Sequence, residues 1–270
     1  MKTLADHTII YDKECPLCCA YTGAFVKTGM LDTNGREAYS EMDQSNTSQV
    51  DWNRARNEIA MINRKDNTVK YGIDSLLAIV EHSFPFLKQA FEFRLLYFSL
   101  RQLYFFISYN RKVIAPGKVF EADSACTPDF STRYRWAYIV FAWLVTSFVL
   151  VHYFRLAAPV IQESGFAREF MVCAGQLVFQ GAFVFQARKD RLVHYFGNMM
   201  TVSLMGALAL SPVLLLKEII NSPWVYIGYF MVVVGFMFFE HKRRVRILNL
   251  PVLISFTWIL YRFIVLPFIL

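Results

Sequence analysis

From Trp136 to Leu270 the chain is built of apolar stretches, each near the roughly 20 residues that cross a hydrocarbon core. They run about Ala137–Phe154, Phe170–Ala187, Tyr195–Leu216, Trp224–Phe239 and Ile247–Leu270, the fourth being the shortest. In lipid every backbone polar group must be satisfied within the segment, so this half is restricted to helices. The prediction is an all-α polytopic membrane domain of about five spans over residues 136–270, with a four-span variant if the last segment turns back at Pro251 or Pro267. Composition agrees: 56% of the 270 residues are hydrophobic and 18% charged, and the mean hydropathy is +0.34. That balance is too apolar for an ordinary soluble chain.

The net charge of +7 is read here as a membrane signal. After Trp136 most cations sit in short loops, and no nucleic-acid motif accompanies them, so nucleic acid is not an expected partner. Arg133, Arg135, Arg188, Lys189, Arg191, Lys242, Arg243, Arg244 and Arg246 fall on one side of the spans. Arg155, Arg168 and Lys217 fall on the other, offset by Glu163, Glu169 and Glu218. The more basic side belongs in the cytoplasm. The N-terminus is polar and lacks a signal-peptide core, so the first domain is expected to stay on the cytoplasmic side of a bacterial-type inner membrane.

The first half carries the chemistry. A short apolar strand, Thr8 to Tyr11, runs into Asp12-Lys13-Glu14-Cys15-Pro16-Leu17-Cys18, and a helix follows to about Thr28, with Ala20, Ala24, Phe25 and Val26 on its buried side and Gly29 as its stop. A second strand over Arg36 to Met42 and a helix over Thr47 to Asn57 are expected next, the latter capped by Ser48 or Asp51. Glu58–Asn63 and Thr68–Tyr71 around Lys65-Asp66-Asn67 read as a β-hairpin. Ile73–His82 is an amphipathic helix with Ile73, Leu76, Leu77 and Val80 in phase. The order β-α-β-α-β-β-α predicts an α/β thioredoxin-like fold. Phe84–Ile114 is aromatic but regularly charged, at Lys88, Glu92, Arg94 and Arg101, and predicts two amphipathic helices lying on the bilayer or on the first domain. The predicted organisation is a domain over 1–114, a linker over 115–135 and the membrane domain over 136–270.

A cysteine at a helix N-terminus faces unpaired amides and the positive end of the helix dipole, which favour its thiolate. Pro16 suits the first helical position because it has no N–H to lose. Cys15 would attack and Cys18, one turn on, would resolve. Lys13 favours the thiolate while Asp12 and Glu14 oppose it, leaving the net sign open. The plainer reading makes these cysteines small buried residues. Cys19 points about 100° away from Cys18 and is expected to pack. Zinc would need four ligands, and His7 with three cysteines is a poor set, so no metal and no cofactor are expected.

Tyr-Asp-x-x-Cys-Pro-x-Cys after a first strand, the run Tyr71-Gly72-Ile73-Asp74-Ser75-Leu76-Leu77, and a closing helix ending Tyr109-Asn110-Arg111-Lys112 are similar to the DCC family of thiol-disulfide oxidoreductases over about residues 8–114. The resemblance implies a thioredoxin-like fold, Cys15 and Cys18 as the redox pair, Asp12 as the motif aspartate, and a thiol or disulfide as substrate. Lys13 stands where the family usually has glycine, and no proline precedes the Ile59–Asn63 strand. The expectation is a membrane-anchored thiol-disulfide oxidoreductase. The alternative is a membrane scaffold or small-molecule transporter whose N-terminal domain docks or senses redox state. For that reading the intramembrane Gln176, Gln180 and Arg262 matter most. Haem is a third reading, with His194 and His241 at similar depth. A transmembrane thiol relay lacks cysteines, since only Cys126 and Cys173 remain, one before the spans and one within them.

Overall fold

The computed structural model describes residues 2–43, 45, 47–117, 126–158, 160–162, 165–217, 219 and 222–268. Glu163, Glu218 and part of the expected linker lie outside the described residues. The chain divides into two compact units, Met1–Tyr134 and Arg135–Leu270.

The first unit is organised by β1, His7–Tyr11, an inner strand of a four-stranded mixed sheet. Thr8, Ile9 and Ile10 are all buried, as a strand covered on both faces requires. β2 (Arg36–Ala38) runs parallel to β1, β3 (Ala60–Asn63) antiparallel to it, and β4 (Val69–Tyr71) antiparallel to β3, giving the order β2-β1-β3-β4. Successive residues serve opposite faces. Ile9 joins Leu4, Leu31, Met61 and Ile79. Ile10 joins Tyr39, Val50, Ala55 and Ile62. Helices α1 (Pro16–Lys27) and α3 (Ile73–Ser83) contribute Tyr21, Phe25 and Leu76 to the first layer, and α2 (Trp52–Asn57) contributes Ala55 to the second.

The punctuation of the sequence survives in detail. Gly29 turns left-handed after α1 (φ 73°) and Asn67 does so in the hairpin (φ 57°). Asp51 caps α2 by accepting the Arg54 N–H at 3.0 Å. Three expectations are corrected. β2 stops at Ala38, well short of Met42, and α2 begins only at Trp52. Ala20 and Ala24 are exposed. The buried stripe of α1 is Cys18 and Thr22, spaced four apart in continuation of Cys15, so it is laid down by the motif rather than by the alanines.

Helix α4 (Lys88–Glu92) is a short turn, and α5 (Arg94–Ile114) is long and two-sided. One side packs on the first unit. The Tyr104 hydroxyl accepts the Ile59 N–H at 2.8 Å, and Ser108 Oγ donates to the Asn57 carbonyl at 2.6 Å. The other side leaves Phe93, Leu95, Phe98 and Leu103 exposed.

In the second unit three helical stretches are long and apolar enough to cross a membrane: Thr132–Arg155, Phe166–Leu214 and Pro223–Ile247. The second spans 49 residues and consists of α7 (Phe166–Arg188) and α8 (Leu192–Leu214), joined by one 3-10 turn at Lys189–Arg191. The first is α6 and the third α9. The shortest apolar helix is the last, not the fourth. α9 continues through its basic end to Ile247. α10 covers only Leu253–Val265, delayed by left-handed Asn249 and by Pro251.

Polar residues join these helices. Tyr195 on α8 bonds the Gln180 side-chain oxygen of α7 and His241 Nε2 of α9, each at 2.9 Å. His241 Nδ1 meets Ser255 Oγ of α10 at 3.2 Å, and Gln180 Nε2 donates to Thr257 Oγ1 at 3.2 Å. Arg244 Nη1 donates to Asn198 Oδ1 at 3.0 Å, tying the end of α9 to the start of α8.

Replacing Ile9 by Ala empties a site that is fully enclosed, and the expected cost is about 2–5 kcal/mol. Denaturant unfolding monitored on the first unit's signals, within the full chain, checks it. A change below about 1 kcal/mol would show that the sheet core is not where the stability resides.

Candidate functional site

The loop after β1 is wound tightly by Asp12. Its Oδ1 accepts the Glu14 N–H at 3.0 Å, and its carbonyl accepts the Cys15 N–H at 3.2 Å. Cys15 therefore arrives as the N-cap of α1, in extended backbone, with Pro16 as the first helical residue and no side-chain capping bond. The Cys15 carbonyl starts the helix by accepting the Cys19 N–H at 3.0 Å. Its sulfur occupies the place where capping oxygens sit.

Cys15 and Cys18 are both free thiols. The Cys18 thiol, as the hydrogen-bonding partner available to a Cys15 thiolate, is the largest influence pulling the Cys15 pKa down to about 6. Burial opposes it, while the Cys18 backbone N–H and the Arg111 guanidinium assist. Cys18 moves the opposite way. Its bond to Cys15 and its burial hold the proton on it far into the alkaline range. The pair is thus asymmetric at neutral pH, with a thiolate at Cys15 and a thiol at Cys18. Tyr21 stands beside it, its hydroxyl 3.8 Å from Cys18 Sγ.

The cation at this site is Arg111, near the end of α5. Its side chain is buried, and it donates to the carbonyls of Arg56 at 2.9 Å and Cys126 at 2.8 Å, and to Ser108 Oγ at 3.2 Å. Asp12 Oδ2 lies 3.9 Å from Arg111 Nη2 and 3.0 Å from Lys112 Nζ, the latter an ion pair without the angle of a hydrogen bond. Two cations against one carboxylate leave one positive charge, the complement of a Cys15 thiolate.

Asp12, Cys15 and Cys18 therefore lie together at the start of α1. Asp12 shapes the loop and holds Lys112, and the thiolate-favouring cation is Arg111 rather than Lys13. Lys13 spends its charge on Glu41, 2.7 Å away at the surface. Cys19 turns its thiol to the Lys13 carbonyl at 3.3 Å and stays out of the pair. The sequence reading missed Cys126, which sits against Arg111 (Sγ to Nη2 4.0 Å) with its pKa pushed up to about 12 by burial. It also missed Tyr104 and the use of Arg111. The signal for Arg111 was present, since it falls in phase with Tyr104 and Ser108 on the packed stripe of α5, where a charge has no reason to be unless it is used.

Beside the pair lies a cavity of about 290 Å³, lined by Cys18, Asp12, Tyr21, Tyr104, Arg111 and Cys126 among apolar side chains. Among the described residues no group of His, Cys, Asp and Glu is disposed to hold a metal ion.

In the second unit, Gln176 Nε2 donates to the Trp258 carbonyl at 3.4 Å, and the Arg262 guanidinium lies 5.1 Å from the Trp258 ring centre. Both nitrogens of His241 are engaged, which leaves it no free lone pair to offer an iron without breaking the network.

No family model matches the chain, and neither a curated protein nor a solved structure matches it.

Thiolate absorbance near 240 nm is expected to titrate with a midpoint near 6 in the reduced protein and to lose that step in Cys15→Ser. The signal falls as pH drops below the midpoint, because the proton returns to Cys15. Cys18→Ala, which removes the main stabilising hydrogen bond, is expected to raise the midpoint by at least about 1 unit. An unchanged midpoint in that variant would refute the assigned cause.

Proposed function

We propose that this chain is a membrane-anchored thiol-disulfide oxidoreductase with a thioredoxin-like first unit of the DCC type, working at the cytoplasmic face of the inner membrane. The observation that carries the reading is the Cys15-Pro16-Leu17-Cys18 pair itself, with its first residue at a helix N-cap, its second thiol one turn on, and the buried Arg111 guanidinium favouring the thiolate. The sheet order β2-β1-β3-β4 with a parallel β1-α1-β2 crossover supports the thioredoxin-like assignment.

The chemistry is disulfide exchange. Two thiols of the pair become one disulfide when two electrons leave, and a partner disulfide becomes two thiols. Exchange passes through a mixed disulfide, and the sulfur with the lower pKa leaves more readily. Here that sulfur is Cys15. Arg111 favours its negative charge, and Cys18 keeps its proton, so that no second thiolate forms beside it.

The membrane part of the proposal is a five-helix anchor. The basic ends of α7, α8 and α9, at Arg188, Lys189, Arg191, Lys242, Arg243 and Arg246, support a cytoplasmic side shared with the start of α6. α10 is the fifth and shortest passage.

With a small dithiol as electron donor and a small disulfide such as hydroxyethyl disulfide as acceptor, Cys15→Ser and Cys18→Ser are each expected to lower turnover at least about 100-fold, because neither can close the disulfide. Turnover is followed by thiol trapping of the full-length protein in detergent. Unchanged turnover in both variants would refute the reading and turn attention to Gln176, Gln180 and Arg262.

A further inference from the structure

The two sulfurs are not equally reachable. Cys15 has no exposed surface at all, and Cys18 is 7% exposed. A disulfide carried on a folded protein cannot be brought against either sulfur as they stand. The cavity of about 290 Å³ offers a way in, and it is Cys18 that forms part of its wall. Its volume matches roughly ten waters, or a molecule of about a dozen non-hydrogen atoms. The walls are largely apolar, with Ile10, Leu17, Ile59, Leu76 and Ile107 around a polar side made of Arg111, the one cation in the lining, with Asp12, Ser108, Tyr21 and Tyr104. Arg111 is 5% exposed, and its Nε has no hydrogen-bond partner. A pocket with apolar walls and a few polar groups gathered on one side orients a small ligand by its polar end, and the guanidinium is the group there that favours an anion.

We propose that this cavity is the substrate pocket of the pair, that it takes a small dithiol with an apolar body and one anionic end, and that the oxidised pair accepts electrons from it through Cys18. The inference rests on the oxidoreductase reading and adds to it a substrate class and the sulfur first met. One ligand thiolate attacks Cys18 Sγ of the Cys15–Cys18 disulfide. The S–S bond between the cysteines breaks, a bond between the ligand sulfur and Cys18 forms, and Cys15 departs with the electron pair as a thiolate. The second ligand thiolate then attacks the first ligand sulfur. Cys18 is displaced and takes up one proton, the other goes to solvent, and the ligand leaves as a cyclic disulfide. Two electrons have moved from ligand to protein, and no further reactant is consumed. The order follows from access and leaving ability together, since the reachable sulfur is attacked and the sulfur with the lower pKa is released.

The test uses the full-length protein in detergent, oxidised at the pair, with dihydrolipoate, its neutral amide and reduced thioredoxin as electron donors. Dihydrolipoate is expected to reduce the pair about 10-fold faster than the amide, a difference of about 1.4 kcal/mol, and thioredoxin at least about 100-fold more slowly than either. Ile107→Trp, which fills the cavity from α5, is expected to slow dihydrolipoate at least about 10-fold while leaving the equilibrium with dithiothreitol unchanged. The monothiol 8-mercaptooctanoate is expected to leave its adduct on Cys18 in peptide mass maps. Thioredoxin as fast as dihydrolipoate, indifference to Ile107→Trp, or an adduct on Cys15 would each overturn the pocket. Equal rates for acid and amide would overturn the anionic end. Should no Cys15–Cys18 disulfide form under any oxidant, the oxidoreductase reading falls and takes the pocket with it. A disulfide that forms but ignores the cavity leaves that reading standing alone.

Discussion

A buried guanidinium is the costliest group in the first unit, and the unit is assembled around it. Removing Arg111 from water demands partners. It finds them in the carbonyls at the end of α2, the Ser108 hydroxyl one turn back, the Cys126 carbonyl and the Asp12 carboxylate. Those groups come from four separated stretches of chain, so the side chain fixes the end of α5 against α2 and against the cysteine loop at once. The thiolate beside it is the charge that such an arrangement leaves room for. Stability and chemistry share one side chain, and each explains why the other tolerates so much burial.

The second unit joins its helices through a network of neutral side chains. Gln180, Tyr195, His241, Ser255 and Thr257 come from four helices and satisfy one another. Small residues let those helices approach. A side-chain carbon on Gly206 would run into the Met237 sulfur, and one on Gly175 into the Tyr261 hydroxyl, which itself donates to the Val172 carbonyl at 2.8 Å. This is the packing that membrane helices use where water offers no hydrophobic drive between them.

Much of this was legible in the sequence because it is local. Strand, turn and capped helix around Cys15 follow from residues in contact along the chain, as do the left-handed stops at Gly29 and Asn67. The apolar stretches announce themselves by length. What escaped is what depends on distant partners. Lys13 is near Cys15 in sequence yet pairs with Glu41, whereas Arg111 lies almost a hundred positions away and reaches the site. Ala20 and Ala24 are apolar letters on a helix whose buried side is set by cysteine and threonine. The extent of α9 misled for the opposite reason, since its basic end is helical and partly buried, and a hydropathy count stops before it.

The seam between the units lies within α6, which begins at Thr132 while the first unit runs to Tyr134. Tyr134 stacks on Tyr109 with ring centres 5.0 Å apart, and its carbonyl accepts from Asn110. Asp129 meets Arg56 and Asn57. The first unit is consequently not a portable module. A fragment ended at Ile114 forfeits the Cys126 carbonyl under Arg111 along with these four contacts, and one extended far enough to keep them carries the opening turn of α6 with it.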